Sequence, residues 1–169
     1  METKKALNLK SLTLYLIKIK KSIMLKIKTY RQENKPNENE KETILNFLFK
    51  NLEQYGDPKQ DIEKCMNYAL QETPSFGGFI LTASLDNNVV GAVIVNETGM
   101  KDYIPENILV YIATDANQRG KGIGKALMQK AIESAKGNIA LHVEPDNPAK
   151  ILYEKLGFTS KYLEMRLTK

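Results

Sequence analysis

The chain has 169 residues, 42% of them apolar and 27% charged, with a net charge of +5. This suits one globular domain and excludes wholesale disorder. A single cysteine, Cys65, excludes an internal disulfide, a single histidine, His142, excludes a multi-histidine zinc centre, and no apolar run reaches the roughly 18–20 residues of a membrane span.

The basic excess has one location. Residues 1–23 hold six lysines and one acid, so they carry the whole +5, and residues 24–169 hold 19 basic and 19 acidic side chains. A nucleic-acid or membrane function inferred from net charge therefore applies only to residues 1–23. That segment has Leu9, Leu12, Leu16 and Ile19 at helical spacing, which fits a basic helix on an anionic surface. It has no small-x-small site of a cleaved secretory signal. Met24 opens the first strand-like run, so residues 1–23 read as a dispensable basic extension and residues 24–169 as the domain.

In chain order, Leu25–Tyr30 alternates like a strand, and the polar stretch 31–40 reads as a loop. Ile44, Leu45, Leu48 and Leu52 predict a helix over about 41–54. Asp57-Pro58-Lys59-Gln60 predicts a second helix start, with Asp57 as cap and Gln60 completing a capping box. Cys65 falls on this helix and reads as packing. Strands are predicted at about 77–84 and 89–95, joined by a tight turn at Asp86-Asn87-Asn88. After the loop 96–107, Ile108–Thr114 is apolar on both faces, as in a central covered strand. A helix over about 122–136, a strand over 139–144, a helix over 148–156 and a last strand over 161–167 complete the chain. The order predicts an α/β (α+β) mixed sheet with helices on both faces.

The strand 108–114 runs into Arg119-Gly120-Lys121-Gly122-Ile123-Gly124, which opens a helix. Strand, glycine-rich turn and helix form a phosphate-binding arrangement, because bare backbone approaches the anion and free amides meet it. A nucleotide P-loop fails here, since Gly124-Lys125 is followed by Ala126, and a dinucleotide fingerprint fails because Lys125 stands at its third glycine. The turn fits Arg/Gln-x-x-Gly-x-Gly/Ala, and Asn147-Pro148-Ala149 followed by Leu152-Tyr153-Glu154-Lys155-Leu156-Gly157-Phe158 lies downstream. In these two motifs the chain resembles the GNAT (Gcn5-related N-acetyltransferase) superfamily.

The resemblance implies a mostly antiparallel central sheet with splayed middle strands. It also implies acetyl-CoA as co-substrate, with the pyrophosphate on the amides of Arg119, Gly120, Lys121, Gly122, Ile123, Gly124 and Lys125. Ile112, Ala113 and Thr114 would expose backbone to the pantetheine and the thioester. Tyr153 matches the tyrosine that protonates the departing thiolate, and Asn147 an asparagine near the cofactor arm, although it is equally a natural helix cap. Some members use a glutamate near the start of the strand before the turn as general base. Strand 108–114 holds none, which leaves Glu106, Glu144 and His142 as candidates, beside a water chain or an acceptor that arrives deprotonated.

The expected function is a cytoplasmic N-acetyltransferase moving acetyl to a primary amine of a small molecule or polypeptide in a ternary complex. No metal, nucleic-acid or membrane partner is expected, and a homodimer is left open. The missing glutamate leaves a non-catalytic acyl-CoA-binding module of the same fold as the alternative. Acceptor choice would lie in the first two helices and the loop 96–107.

Overall fold

The computed structural model describes residues 24–169. The expectations for residues 1–23 lie outside them. Along the chain come β1 (Lys26–Tyr30), α1 (Glu38–Asn51), α2 (Lys59–Ala69), β2 (Gly78–Leu85), β3 (Asn88–Glu97), β4 (Asn107–Thr114), α3 (Ile123–Ser134), β5 (Ile139–Leu141) and α4 (Ala149–Lys155). The strands form one sheet in the order β1-β2-β3-β4-β5, antiparallel through β4 and parallel between β4 and β5. This is the mixed, mostly antiparallel sheet that the sequence predicts. Between β2 and β3, Asp86 and Asn87 both take positive φ, as a two-residue hairpin turn requires.

Alternation along the strands divides the core in two. Ile80, Ile94 and Tyr111 pack with Ile44, Leu48, Ile62, Met66 and Leu70 of the α1–α2 layer. Phe79, Leu81, Val93, Val95 and Leu109 pack with Ile123, Leu127, Met128 and Ala131 of α3 and with Tyr153 of α4. Each fully buried aliphatic side chain contributes about 1.5–3 kcal/mol by leaving water. Leu109 and Tyr111, two residues apart, face opposite layers. Tyr111 pairs with Ile94 and Leu109 with Val95, so Val110 is the extra residue of a β-bulge.

Several local expectations are corrected. Helix α1 begins at Glu38, because Asn37 accepts from the Glu40 amide and Glu40 accepts from the Asn37 amide. This capping box turns part of the expected loop into helix. Asp57 does not cap α2; its carboxylate accepts a hydrogen bond from the Tyr111 hydroxyl instead. Strand β5 stops at Leu141, and residues 161–167 form no strand. Leu163, Met165 and Leu167 alternate as a strand should, yet they are exposed. A strand needs a neighbour for its backbone groups, and a three-residue β5 offers few.

Candidate active site

The site lies at the C-terminal end of β4. Only Asn107, Ile108 and Leu109 pair with β5, at Ile139, Ala140 and Leu141, so among the described residues Val110 to Thr114 run on without a partner on that side. The Asp115 amide donates to the Val90 carbonyl, and Ala113 stands opposite Ala92. By strand alternation, Ala113 is bonded toward β3, whereas the amide and carbonyl groups of Ile112 and Thr114 face the open gap. Of the three residues expected to meet the cofactor arm through backbone groups, the gap receives those two.

Asp115 then shapes the glycine-rich turn. Its carboxylate accepts from the Asn117 amide, closing a short helical turn over Ala116–Gln118. The Arg119 amide donates to the Ala116 carbonyl, so it is already used, and the amides of residues 120–125 remain as the cradle. The first amide returned to α3 is that of Ala126, on the Gly122 carbonyl. Gly120 and Gly122 have φ of +77° and +82°, the left-handed region that disfavours side chains. Among the described residues a Cβ at either would meet nothing within 4 Å, so the glycines of the turn serve backbone conformation and access. The Lys121 ammonium is committed to the Asn117 carbonyl and the Gln118 side chain. The Arg119 guanidinium pairs with Glu53 at 2.9 Å and thereby ties the α1–α2 connection to the turn.

Helix α4 closes the other side. A Cβ on Gly124 would lie 3.4 Å from Leu152 and 3.7 Å from Thr114, so the start of α3, the end of β4 and α4 meet there. The Tyr153 side chain is buried in the α3 layer, 6.0 Å from the Phe158 ring between centroids. Burial alone pushes its phenol up to about 12, because the phenolate would lose its hydration. Asn147 has its carboxamide oxygen on the Ala149 amide, 2.9 Å away, which is the capping role.

The candidate bases separate along β4 and β5. Glu106 precedes β4, and its carboxylate accepts from the Asn138 amide at 2.7 Å in the turn between α3 and β5. That backbone hydrogen bond holds its carboxyl below the usual carboxylate range. At about 3.3 Å per residue, it stands roughly 20 Å along the strand from Ile112. Glu144 is exposed, three residues past the end of β5. The strand it follows runs parallel to β4 and is paired with it only through Leu141. His142 is exposed beside Glu164, 3.9 Å away. Cys65 receives the Asn96 amide on its sulfur, and burial pushes its thiol up to about 12. It therefore stays protonated as a packing group.

Two further residues escaped the sequence reading. Gly91 of β3 lets α3 sit directly on the sheet, a role that an isolated glycine inside a strand signals. Tyr111 reaches Asp57 across the α1–α2 layer, which no local pattern indicates.

An α/β sheet parted beside an open glycine turn, with a buried tyrosine closing the far side, is a strand, turn and helix arrangement that suits an anionic ligand. The model of the Acetyltransferase (GNAT) family matches residues 41–158, and the chain belongs to that family. Similar solved structures include PH1933 from Pyrococcus horikoshii OT3, at 22% identity and a TM-score of 0.63, covering 84% of this chain and 93% of that one. A GNAT family protein from Streptococcus pneumoniae TIGR4 has 18% identity and a TM-score of 0.63, over 86% and 98%. A ribosomal-protein-alanine N-acetyltransferase from Brucella melitensis biovar Abortus 2308 has 20% identity and a TM-score of 0.58, over 86% and 100%. No curated protein matches the chain in sequence. Among the described residues no helix is long and apolar enough to cross a membrane, and no three His, Cys, Asp or Glu groups gather as metal ligands.

Proposed function

We propose that this acetyltransferase moves acetyl from acetyl-CoA to a primary amine of a small molecule or polypeptide, by direct attack in a ternary complex in the cytoplasm. The observation that carries the reading is the unpaired half of β4 running into the open glycine turn. Its gap admits an extended arm, and its end offers amides to a pyrophosphate. Acetyl-CoA supplies the activated acetyl thioester.

The chain's own groups take the remaining roles. The amides of residues 120–125 hold the pyrophosphate. The Ile112 amide, aimed into the gap, donates to the thioester oxygen as that oxygen gains negative charge. Tyr153 hands its phenolic proton to the departing sulfur, and burial keeps that proton in place at neutral pH. Glu144 takes the proton of the attacking amine. Glu106 is the weaker candidate, since its carboxylate is occupied by the Asn138 amide.

The neighbours do not choose the acceptor. One is named for ribosomal-protein alanine, and another, from an uncultured soil metagenomic sample, is an aminoglycoside acetyltransferase. The test is CoA release from acetyl-CoA over a panel of amines and peptides, with mass spectrometry of the products. Acetylated amine with stoichiometric CoA supports the reading. Tight acetyl-CoA binding without release across the panel would favour a binding module.

A further inference from the structure

The bulge at Val110 has a directional effect. If Val110 took a regular place in the ladder, Tyr111 would share a face with Leu109 and point into the α3 layer. The bulge turns it to the opposite layer, where its hydroxyl donates to Asp57 Oδ2 at 2.5 Å. The Tyr111 side chain is buried, whereas Asp57 is exposed at the end of the α1–α2 connection. Burial, then the Asp57 carboxylate itself, push the Tyr111 phenol above its usual range, so it stays a donor. The same connection is tied to the glycine turn through Glu53 and Arg119. Arg166, whose main partner is Glu164, also feels the Asp57 charge.

We propose that Asp57, positioned by Tyr111, binds a second positive charge on the acceptor, separate from the reacting amine. The inference rests on the acetyltransferase reading above. Tyr111 directly precedes Ile112, whose amide faces the gap, so the pair is anchored on the strand segment that borders the gap. Its hydroxyl, however, stands a whole tyrosine side chain away from the strand. A carboxylate beyond that hydroxyl lies too far to take the proton of an amine attacking at the Ile112 amide. It is placed for a charge further along the same molecule, as in a diamine or in a peptide with a basic residue near its reacting end. Asp61, at the start of α2, adds to the negative field felt at Tyr111.

The experiment compares putrescine with butylamine, and a lysine-containing dipeptide with its norleucine counterpart. Binding to the CoA-saturated protein is measured by calorimetry, and acetylation by initial rates. Wild type is expected to favour the doubly charged member of a pair by about fivefold or more in Kd and KM, with a smaller change in kcat. That preference should fall as salt is raised. Asp57→Asn, which keeps an acceptor for Tyr111, should bring the ratio close to one, and Asp57→Glu should restore part of it. Tyr111→Phe should lower it partway, since the charge remains while its position is freed. A preference confined to the dipeptides assigns the acceptor to polypeptides, and one confined to putrescine assigns it to small polyamines. Equal affinity within both pairs in wild type, or a ratio unmoved by Asp57→Asn, overturns the proposal. If Asp57→Asn abolishes a preference in binding while no amine releases CoA, the anchor stands and the acetyltransferase reading fails.

Discussion

Leu127 of α3 lies against the bare backbone of Gly91 in β3: a Cβ at Gly91 would stand 2.6 Å from Leu127 Cδ1 and 3.1 Å from Ile123 Cγ2. The helix whose first turn carries the glycine cradle is thus seated directly on the sheet, and its distance from β3 sets where the cradle lies relative to β4. Leu127 is fully buried, so it has little room to yield. Gly91→Val should therefore destabilise the fold by about 1–3 kcal/mol through overpacking. It should also weaken acetyl-CoA binding, because α3 is lifted. Urea unfolding and calorimetry check the two effects together, and a stability loss with unchanged affinity would separate the seat from the cradle.

Gly122 behaves differently, because the space around it is empty. Gly122→Val meets no neighbour, but it must hold a φ of +82° with a β-branched side chain, at a cost of about 1–3 kcal/mol. The larger effect is expected on the ligand. On the proposed reading a side chain at this position obstructs the pyrophosphate, and acetyl-CoA affinity should fall at least about tenfold, a loss near 1.4 kcal/mol. Lys121→Ala should cost less, since Lys121 is engaged with Asn117 and Gln118. Isothermal calorimetry with acetyl-CoA ranks the two variants.

Tyr153→Phe removes a proton donor while keeping the buried ring. The turnover rate should fall by about 10²- to 10⁴-fold, the range for a positioned general acid, with acetyl-CoA affinity retained. The phenol also links stability to pH. Its folded pKa of about 12 lies above the ordinary tyrosine value, so its contribution is complete below about pH 10 and is lost as pH rises from there through 12. Urea melts between neutral pH and pH 11 should show a steeper alkaline loss in wild type than in Tyr153→Phe.

Glu144→Gln and Glu106→Gln distinguish the two carboxylates. If Glu144 takes the amine proton, its variant lowers kcat/KM and removes the acidic limb of the pH–rate profile. Glu106→Gln should leave that limb in place, because its carboxylate serves the turn between α3 and β5, where it meets the Asn138 amide. Rate profiles for both variants on one amine decide the assignment; loss of the limb in Glu106→Gln alone would reverse it.

The sequence made much of this protein legible where the signals are local. The apolar faces of α1 and α2, the Asp86-Asn87 turn and the glycine-rich turn all depend on residues close together in the chain. Helix α1 begins earlier than its apolar spacing indicates because the Asn37–Glu40 capping box starts it within a polar stretch. Residues 161–167 form no strand although Leu163, Met165 and Leu167 alternate, because alternation indicates only which side of a strand is apolar. Whether a strand forms depends on a neighbouring edge, and that is a tertiary property.

The same division holds at the site. By itself the sequence determined that the chain's basic excess lies outside residues 24–169, and that a glycine-rich turn at residues 119–125, with its backbone amides, stands between a strand and a helix. Only the tertiary structure decided which of those amides remain free, since the Arg119 amide is spent within its own turn. It also decided which backbone groups of Ile112, Ala113 and Thr114 face the gap, because that follows from pairing with β3. Asp57, the natural helix cap by sequence, became the partner of Tyr111 because a bulge at Val110 turned a strand residue through to the opposite layer. A cap and a cross-layer hydrogen bond compete for the same carboxylate, and strand register, which no short segment encodes, settles the competition.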